Sequence, residues 1–212
     1  MMAGHFITFE GGEGAGKSTQ ARLLAEALRE QGFEVVVTRE PGGTPGAEAI
    51  RQLLLATDGT DWNLPAEALL FAAARADHVA QLIRPAVERG AWVICDRFID
   101  STRAYQGGEG GLPDETIIAL HGVGSGGFMP DLTLLVELPP EEAARRIALR
   151  DGEDSDRIGG RDAAFHAKVA RRFAAIAAEE PERFARIDGS VDAASVHLQV
   201  LHAVSQRLGG EA

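Results

Sequence analysis

Three observations predict an α/β fold, a doubly wound parallel five-stranded sheet flanked by helices. Short apolar or β-branched runs alternate with helical patterns along the chain. Two of these runs, VVV at 35–37 and WVI at 92–94, are apolar without alternation, as strands covered on both faces are. The first run leads directly into a glycine-rich loop that opens a helix.

That first strand is expected over residues 5–10, followed by Gly11-x-x-x-x-Gly16-Lys17-Ser18. Gly11 and Gly16 let the backbone turn tightly, so that the N–H groups of the loop, through Gly12, Glu13, Gly14 and Ala15, point inward at a polyphosphate. Lys17 adds a point charge. Ser18 and Thr19 open a helix over 18–30 whose N-terminal dipole faces the anion, and the Ser18 hydroxyl suits Mg²⁺. The motif implies a bound nucleoside triphosphate.

The second strand is expected over 33–38 and is followed by Thr-Arg-Glu-Pro-Gly-Gly, which places Arg39 and Glu40 just past a strand edge, with Arg51 on the next helix. Arg39 reads either as a phosphate contact or as a solvated charge in a Pro-Gly turn. A long helix over 65–89 starts with Pro65 and stops before Gly90, and Leu69, Ala72, Ala76, Val79 and Ile83 trace its expected apolar stripe. Phe71 lies about 200° from Leu69 around this helix and shares a face with Arg75 at i+4. The pair reads either as core or as a platform that stacks a planar base and bonds its carbonyl edge.

The third strand, over 91–96, ends at Asp96-Arg97, a carboxylate and a guanidinium where open α/β sheets bind ligands. Asp96 suits Mg²⁺ or its water shell, and Arg97 suits a bidentate phosphate. Cys95 reads as a small buried residue. Strands over 132–138 and 184–188 complete the sheet, and glycine-rich connections fall at 107–113 and 122–130. Near the polar, glycine-bearing segment 151–160 cluster Arg145, Arg146, Arg150, Arg157 and Arg161. Arg145 and Arg146 read as a solvated helix end. Arg150, Arg157 and Arg161 read as a lid that closes over a transferring phosphoryl group, neutralising charge and excluding water.

Bulk properties bound the reading. The 212 residues suit one domain, 1–212, with a lid segment near 150–161. A formal charge of −11 argues against a broad nucleic-acid-binding surface. One cysteine fits a reducing cytoplasm, and no long apolar run suggests a membrane span. The six histidines show no close metal-ligand spacing, and no nucleophilic Ser-His-Asp arrangement stands out. A nucleotide-dependent switch or partitioning ATPase is the alternative of a different class. The lack of an Asn-Lys-x-Asp signature weakens its GTPase form.

With FEGGEGAGKST, TREPGGT, LLFAAARADH, CDRFIDSTRAYQG and PDLTLLVEL in this order, the chain resembles the bacterial thymidylate kinase family over nearly its whole length. The resemblance implies a P-loop nucleoside monophosphate kinase fold, a homodimer packed through helices, and transfer of the ATP γ-phosphoryl group to dTMP. It implies Glu13 near the acceptor sugar, Arg97 on the dTMP phosphate and Asp96 near Mg²⁺. Phe71 is implied to stack on thymine and Arg75 to read a thymine carbonyl. Gln106 would reach the base, Tyr105 would crowd the place of a 2′-hydroxyl, and Arg39, Glu40, Arg51 and Thr102 would line the acceptor pocket. No arginine stands between Gly11 and Lys17, so the resemblance is to members that carry a catalytic arginine in the lid.

Overall fold

The computed structural model describes residues 4–56, 61–108, 110–151 and 160–209, with residues 147–151 described by their backbone alone. Its sheet has five strands, β1 (Phe6–Glu10), β2 (Val35–Arg39), β3 (Trp92–Asp96), β4 (Leu132–Glu137) and β5 (Phe184–Asp188), in the order β2-β3-β1-β4-β5. All neighbours are parallel, with Phe9 beside Asp96 and Arg39 also beside Asp96, so the carboxyl ends of β1, β2 and β3 meet at one edge. Connections leave β1 for one side of the sheet and return through β4 on the other. That reversal opens a crevice at the carboxyl edge.

Helices cover both faces, which explains the unbroken apolar runs. Ile7, Phe9, Ile94, Leu134 and Val136 pack with Leu24 and Leu28 of α1 (Lys17–Glu30) and Val200 and Val204 of α9 (Ala193–Leu208). Their neighbours along the strands, Phe6, Val93 and Cys95, point the other way and pack with Ile83, Phe98 and Ile117. Among the described residues no helix is long and apolar enough to cross a membrane. The remaining helices are α2 (Pro45–Leu55), α3 (Leu64–His78), α4 (Arg84–Glu88), α5 (Ile99–Tyr105), α6 (Asp114–Ser125), α7 (Pro140–Asp151) and α8 (Ala163–Glu179).

The long helix expected over 65–89 differs from expectation twice. It starts as read, with Asn63 capping the Ala66 N–H and Pro65 in the first turn. However, residues Val79–Ile83 form a π-helical segment between α3 and α4, in which the Arg84 N–H reaches Val79 O. Pro85 is the physical reason: it has no N–H to donate and its ring crowds the carbonyl one turn back, so the ladder widens there.

The apolar stripe also needs correction. Val79 and Ile83 are buried, but Leu69 is 56% exposed. The buried face of α3 is Glu67, Ala68, Ala74, Arg75 and His78. Alanines 72 and 76 face α6 instead, where a Cβ on Gly124 would stand 3.3 Å from the Ala76 Cβ and 3.4 Å from Ala72 O.

Candidate active site

The loop after β1 has the backbone its glycines permit. Gly11, Gly14 and Gly16 have φ of 135°, 71° and 88°. At Gly11 a side chain is excluded twice over, since a Cβ would lie 2.2 Å from Val136 O. Gly16 then caps α1, with no side chain bonded to the helix end. The first-turn N–H donors thus form an anion-attracting terminus. Lys17, one residue earlier in the helix than expected, is 6% exposed and its Nζ donates to Gly12 O at 2.7 Å across the loop. Burial, and then the Arg97 charge, push its amine down to about 8.

Two cavities meet at this edge. The first surrounds the phosphate-type loop and is lined by Glu13, Gly14, Ala15, Gly16, Lys17, Ser18 and Thr19 together with Asp96, Arg97 and Arg146. The second lies beside it and is lined by Arg39, Glu40, Arg51, Phe71, Arg75, Thr102, Tyr105 and Gln106, among others. Glu13, Ser18, Asp96 and Arg97 line both. Every residue that the resemblance assigned to an acceptor pocket therefore stands in the wall of one cavity.

Arg97 is held at the junction by its backbone. Its φ of 70° is unusual for a side-chain-bearing residue, and its N–H is tied to Phe9 O at 2.9 Å. The guanidinium donates to Gly11 O, Ser101 Oγ and Glu13 Oε1 at 3.1, 3.0 and 2.5 Å. Tyr105 donates its hydroxyl to the same Glu13 oxygen at 3.3 Å. Glu10, fully buried at the end of β1, accepts the Phe98 and Ser101 N–H groups and the Ser101 hydroxyl, which locks the start of α5 to the loop strand. Cys95 is buried as expected, its thiol pushed well up by burial and by Glu40, so it is not a nucleophile here.

The residues present fit a divalent cation. Ser18 Oγ lies 2.5 Å from Asp96 Oδ2, while Asp96 Oδ1 is buried without a protein partner. Hard oxygen donors and an unsatisfied carboxylate oxygen beside a phosphate loop suit Mg²⁺. Among the described residues no group of three or more His, Cys, Asp or Glu side chains could hold a metal without phosphate oxygens.

The second cavity is built on a buried polar network. Arg75 Nε donates to Glu40 Oε2 at 2.8 Å and Nη2 donates to Thr102 Oγ1 at 2.9 Å, with the guanidinium 5.2 Å from the Phe98 ring. Fully buried His78 meets the other Glu40 oxygen at 3.1 Å through Nδ1. A carboxylate accepts only, so Nδ1 donates to it, and Nε2 meets the Thr38 hydroxyl 2.7 Å away. Arg39 pairs with Glu48 at 3.0 Å and Arg51 donates to Pro41 O at 2.8 Å. Phe71 is half-buried beside Leu55 and Phe165 in the cluster around Tyr105 and Phe173.

Of the expected lid arginines, Arg157 lies outside the described residues and so does the side chain of Arg150. Arg161 lines neither cavity; its Nη2 donates to Glu67 Oε1 at 2.6 Å. Arg146, read from sequence as a solvated helix end, instead reaches Gly189 O at 3.1 Å and enters the wall of the first cavity, whereas Arg145 is 67% exposed. Glu67 was also missed. Its signal was its place one and two turns before Phe71 and Arg75 on one helical face.

The chain is similar to known proteins over most of its length. The family model described as thymidylate kinase matches residues 9–200. A thymidylate kinase of Rhizorhabdus wittichii is 63% identical over 156 residues, which are 74% of this chain and 75% of that protein. One from a Bradyrhizobium species is 53% identical over 149 residues, 70% of this chain and 66% of the relative. The crystal structure of thymidylate kinase from Ehrlichia chaffeensis matches with a TM-score of 0.75 at 35% identity, covering 95% of this chain and 99% of that one. The phosphate loop, the paired cavities and these likenesses lead to one conclusion: the chain belongs to the thymidylate kinase family.

Proposed function

We infer that this chain transfers the γ-phosphoryl group of ATP to dTMP, giving dTDP and ADP. The observation that carries the reading is the wall of Glu13, Ser18, Asp96 and Arg97 shared by the two cavities, which would bring a donor phosphate and an acceptor phosphate together. A phosphate oxygen of dTMP forms the new bond to the γ-phosphorus as the bond from that phosphorus to the β-bridging oxygen breaks. The nucleophile is already anionic, so no general base is needed. The work is to align two anions and offset their repulsion.

In this reading Lys17 and the loop N–H groups hold the donor phosphates, and Arg146 adds charge at their side. Arg97 holds the acceptor phosphate, with Arg39 and Arg51 near it. Glu13 receives a sugar hydroxyl and Tyr105 crowds the 2′ position. Phe71 stacks on the base, Arg75 and Gln106 read its edge, and Glu40 and Thr102 fix Arg75. Ser18 and Asp96 would hold Mg²⁺, which when bound supplies charge neutralisation to the donor phosphates. Arg150 and Arg157 are the proposed lid arginines; Arg161, expected with them, is instead held on Glu67 outside both cavities.

A homodimer is the proposed assembly. Neighbouring helices α2, α3 and α6 carry Leu53, Leu69, Ile118 and Val123 exposed at 54%, 56%, 39% and 90%, an apolar surface that a second copy would cover. Cys95, free and buried, is compatible with action in the cytoplasm.

A coupled assay of ADP release with ATP and a panel of dTMP, dUMP, dCMP and AMP tests the reaction and the acceptor together. The expected order places dTMP first. AMP as the best acceptor, or ATP turnover that needs no acceptor, would refute the reading.

A further inference from the structure

Glu67 is a carboxylate with no exposure, on the face of α3 that carries Arg75. A carboxylate taken out of water must be held by donors. Two of these reach it from distant parts of the chain: Arg161 Nη2 donates to Oε1 at 2.6 Å, and Gln106 Nε2 donates to Oε2 at 3.1 Å. With both oxygens tied, the carboxylate has a fixed orientation. Arg161 is itself steadied by the Phe165 ring, 4.6 Å from its guanidinium carbon.

The consequence falls on Gln106, which is 1% exposed and lines the acceptor cavity. An amide has a donor end and an acceptor end of nearly the same shape. Glu67 distinguishes them, because an ionised carboxylate accepts and cannot donate. The Gln106 nitrogen must face it, and the carbonyl oxygen is the end left to meet a base.

We propose that Glu67 is a positioning residue for acceptor choice, which holds the Gln106 amide so that it presents an acceptor to the base. Such a polarity suits a pyrimidine whose N3 carries a hydrogen, as in thymine and uracil. It repels one whose N3 is a lone pair, as in cytosine. The proposal rests on the dTMP reading above and names the origin of part of its selectivity.

The test measures kcat/KM for dTMP and dCMP with ATP in the full chain and in Glu67→Gln. Arg161 can only donate, so a glutamine at 67 gives it the carbonyl oxygen and turns its NH₂ toward Gln106, whose amide must then reverse and offer a donor to the base. The dTMP to dCMP ratio is expected to fall about tenfold, through KM for dTMP more than through kcat. A merely structural role would lower activity on all acceptors alike. An unchanged ratio in a folded Glu67→Gln protein would therefore overturn the proposal.

The exchange variant Glu67→Gln with Gln106→Glu keeps the charge and the hydrogen bond but returns an acceptor to the base side. Recovery of the dTMP preference supports the proposal, and its loss overturns it even if the single variant does not fold. A wild-type chain with no preference for dTMP over dCMP would instead refute the acceptor assignment itself.

Discussion

Replacing Lys17 by methionine should make the protein more stable while removing its activity. The amine is 6% exposed and its pKa falls from 10.5 to about 8, chiefly through burial. At about 1.36 kcal/mol per pH unit, the fold therefore works against this charge by on the order of 3 kcal/mol at neutral pH. Methionine removes that cost and loses the bond to Gly12 O, about 1 kcal/mol. The net gain is about 2 kcal/mol, or roughly 4–8 °C in Tm for a chain of this size. The sign reverses with pH in a defined window. Below about 8 lysine is protonated in both states and its full cost stands. Between about 8 and 10.5 the unfolded chain holds more protons, so wild-type stability climbs with pH, and above 10.5 the advantage of methionine is gone. Urea unfolding of both nucleotide-free proteins, followed by circular dichroism at pH 7 and pH 11, measures this directly. Turnover should fall roughly 10²–10³-fold. A variant less stable than wild type at pH 7, or a stability gain that persists at pH 11, would refute the reasoning.

Phe71→Ala should raise KM for dTMP about 5- to 150-fold, the worth of one base stack, and leave KM for ATP nearly unchanged; equal changes in both would remove Phe71 from the acceptor site. Glu40→Gln strips the buried counter-charge from Arg75 and replaces the carboxylate that His78 meets, and should cost about 3 kcal/mol in urea unfolding; a cost under about 1 kcal/mol would show that Arg75 is not held as described. Leu69→Asp with Val123→Asp places charge on the exposed apolar surface of α3 and α6 and should shift sedimentation from dimer to monomer. A dimer that survives both charges would place the interface elsewhere.

The strands and the phosphate loop were legible in the sequence because each is a local rule. A run apolar on both faces or a glycine at a fixed spacing needs no knowledge of the rest of the chain, and the expected strand ends differ from the observed ones by no more than two residues. The inner face of α3 was illegible to the same method. Periodicity counts apolar residues as buried, but the groups buried there are Glu67, Arg75 and His78, which are stable inside only because Glu40, Thr102, Gln106 and Thr38 meet them from elsewhere. Leu69, which a stripe argument places inside, is left out in exchange. Arg146 was misread for a related reason. Its acceptor, Gly189 O, lies in the turn after β5, 43 positions along the chain. Phe71 and Arg75 were found because their i, i+4 relation is local, although the role of the pair needed the motif around it.

The junction of the two cavities shows why such pairings belong to function as much as to folding. Arg97 sits at a φ that a β-carbon disfavours, by on the order of 1–2 kcal/mol, and is kept there by the Phe9 carbonyl and by four contacts of its guanidinium. Its strongest partner is the Glu13 carboxylate, in the same wall that two phosphates must approach. An acceptor phosphate would compete with Glu13 for this guanidinium, and two anions cannot both keep its best donors. A hydroxyl of the acceptor sugar could compensate the displaced carboxylate by donating to it, whereas a second anion could not. In the proposed reaction, the ion pair that organises the empty site is therefore exchanged for a phosphate on Arg97 and a hydroxyl on Glu13. That exchange favours an acceptor carrying both groups over inorganic phosphate or water.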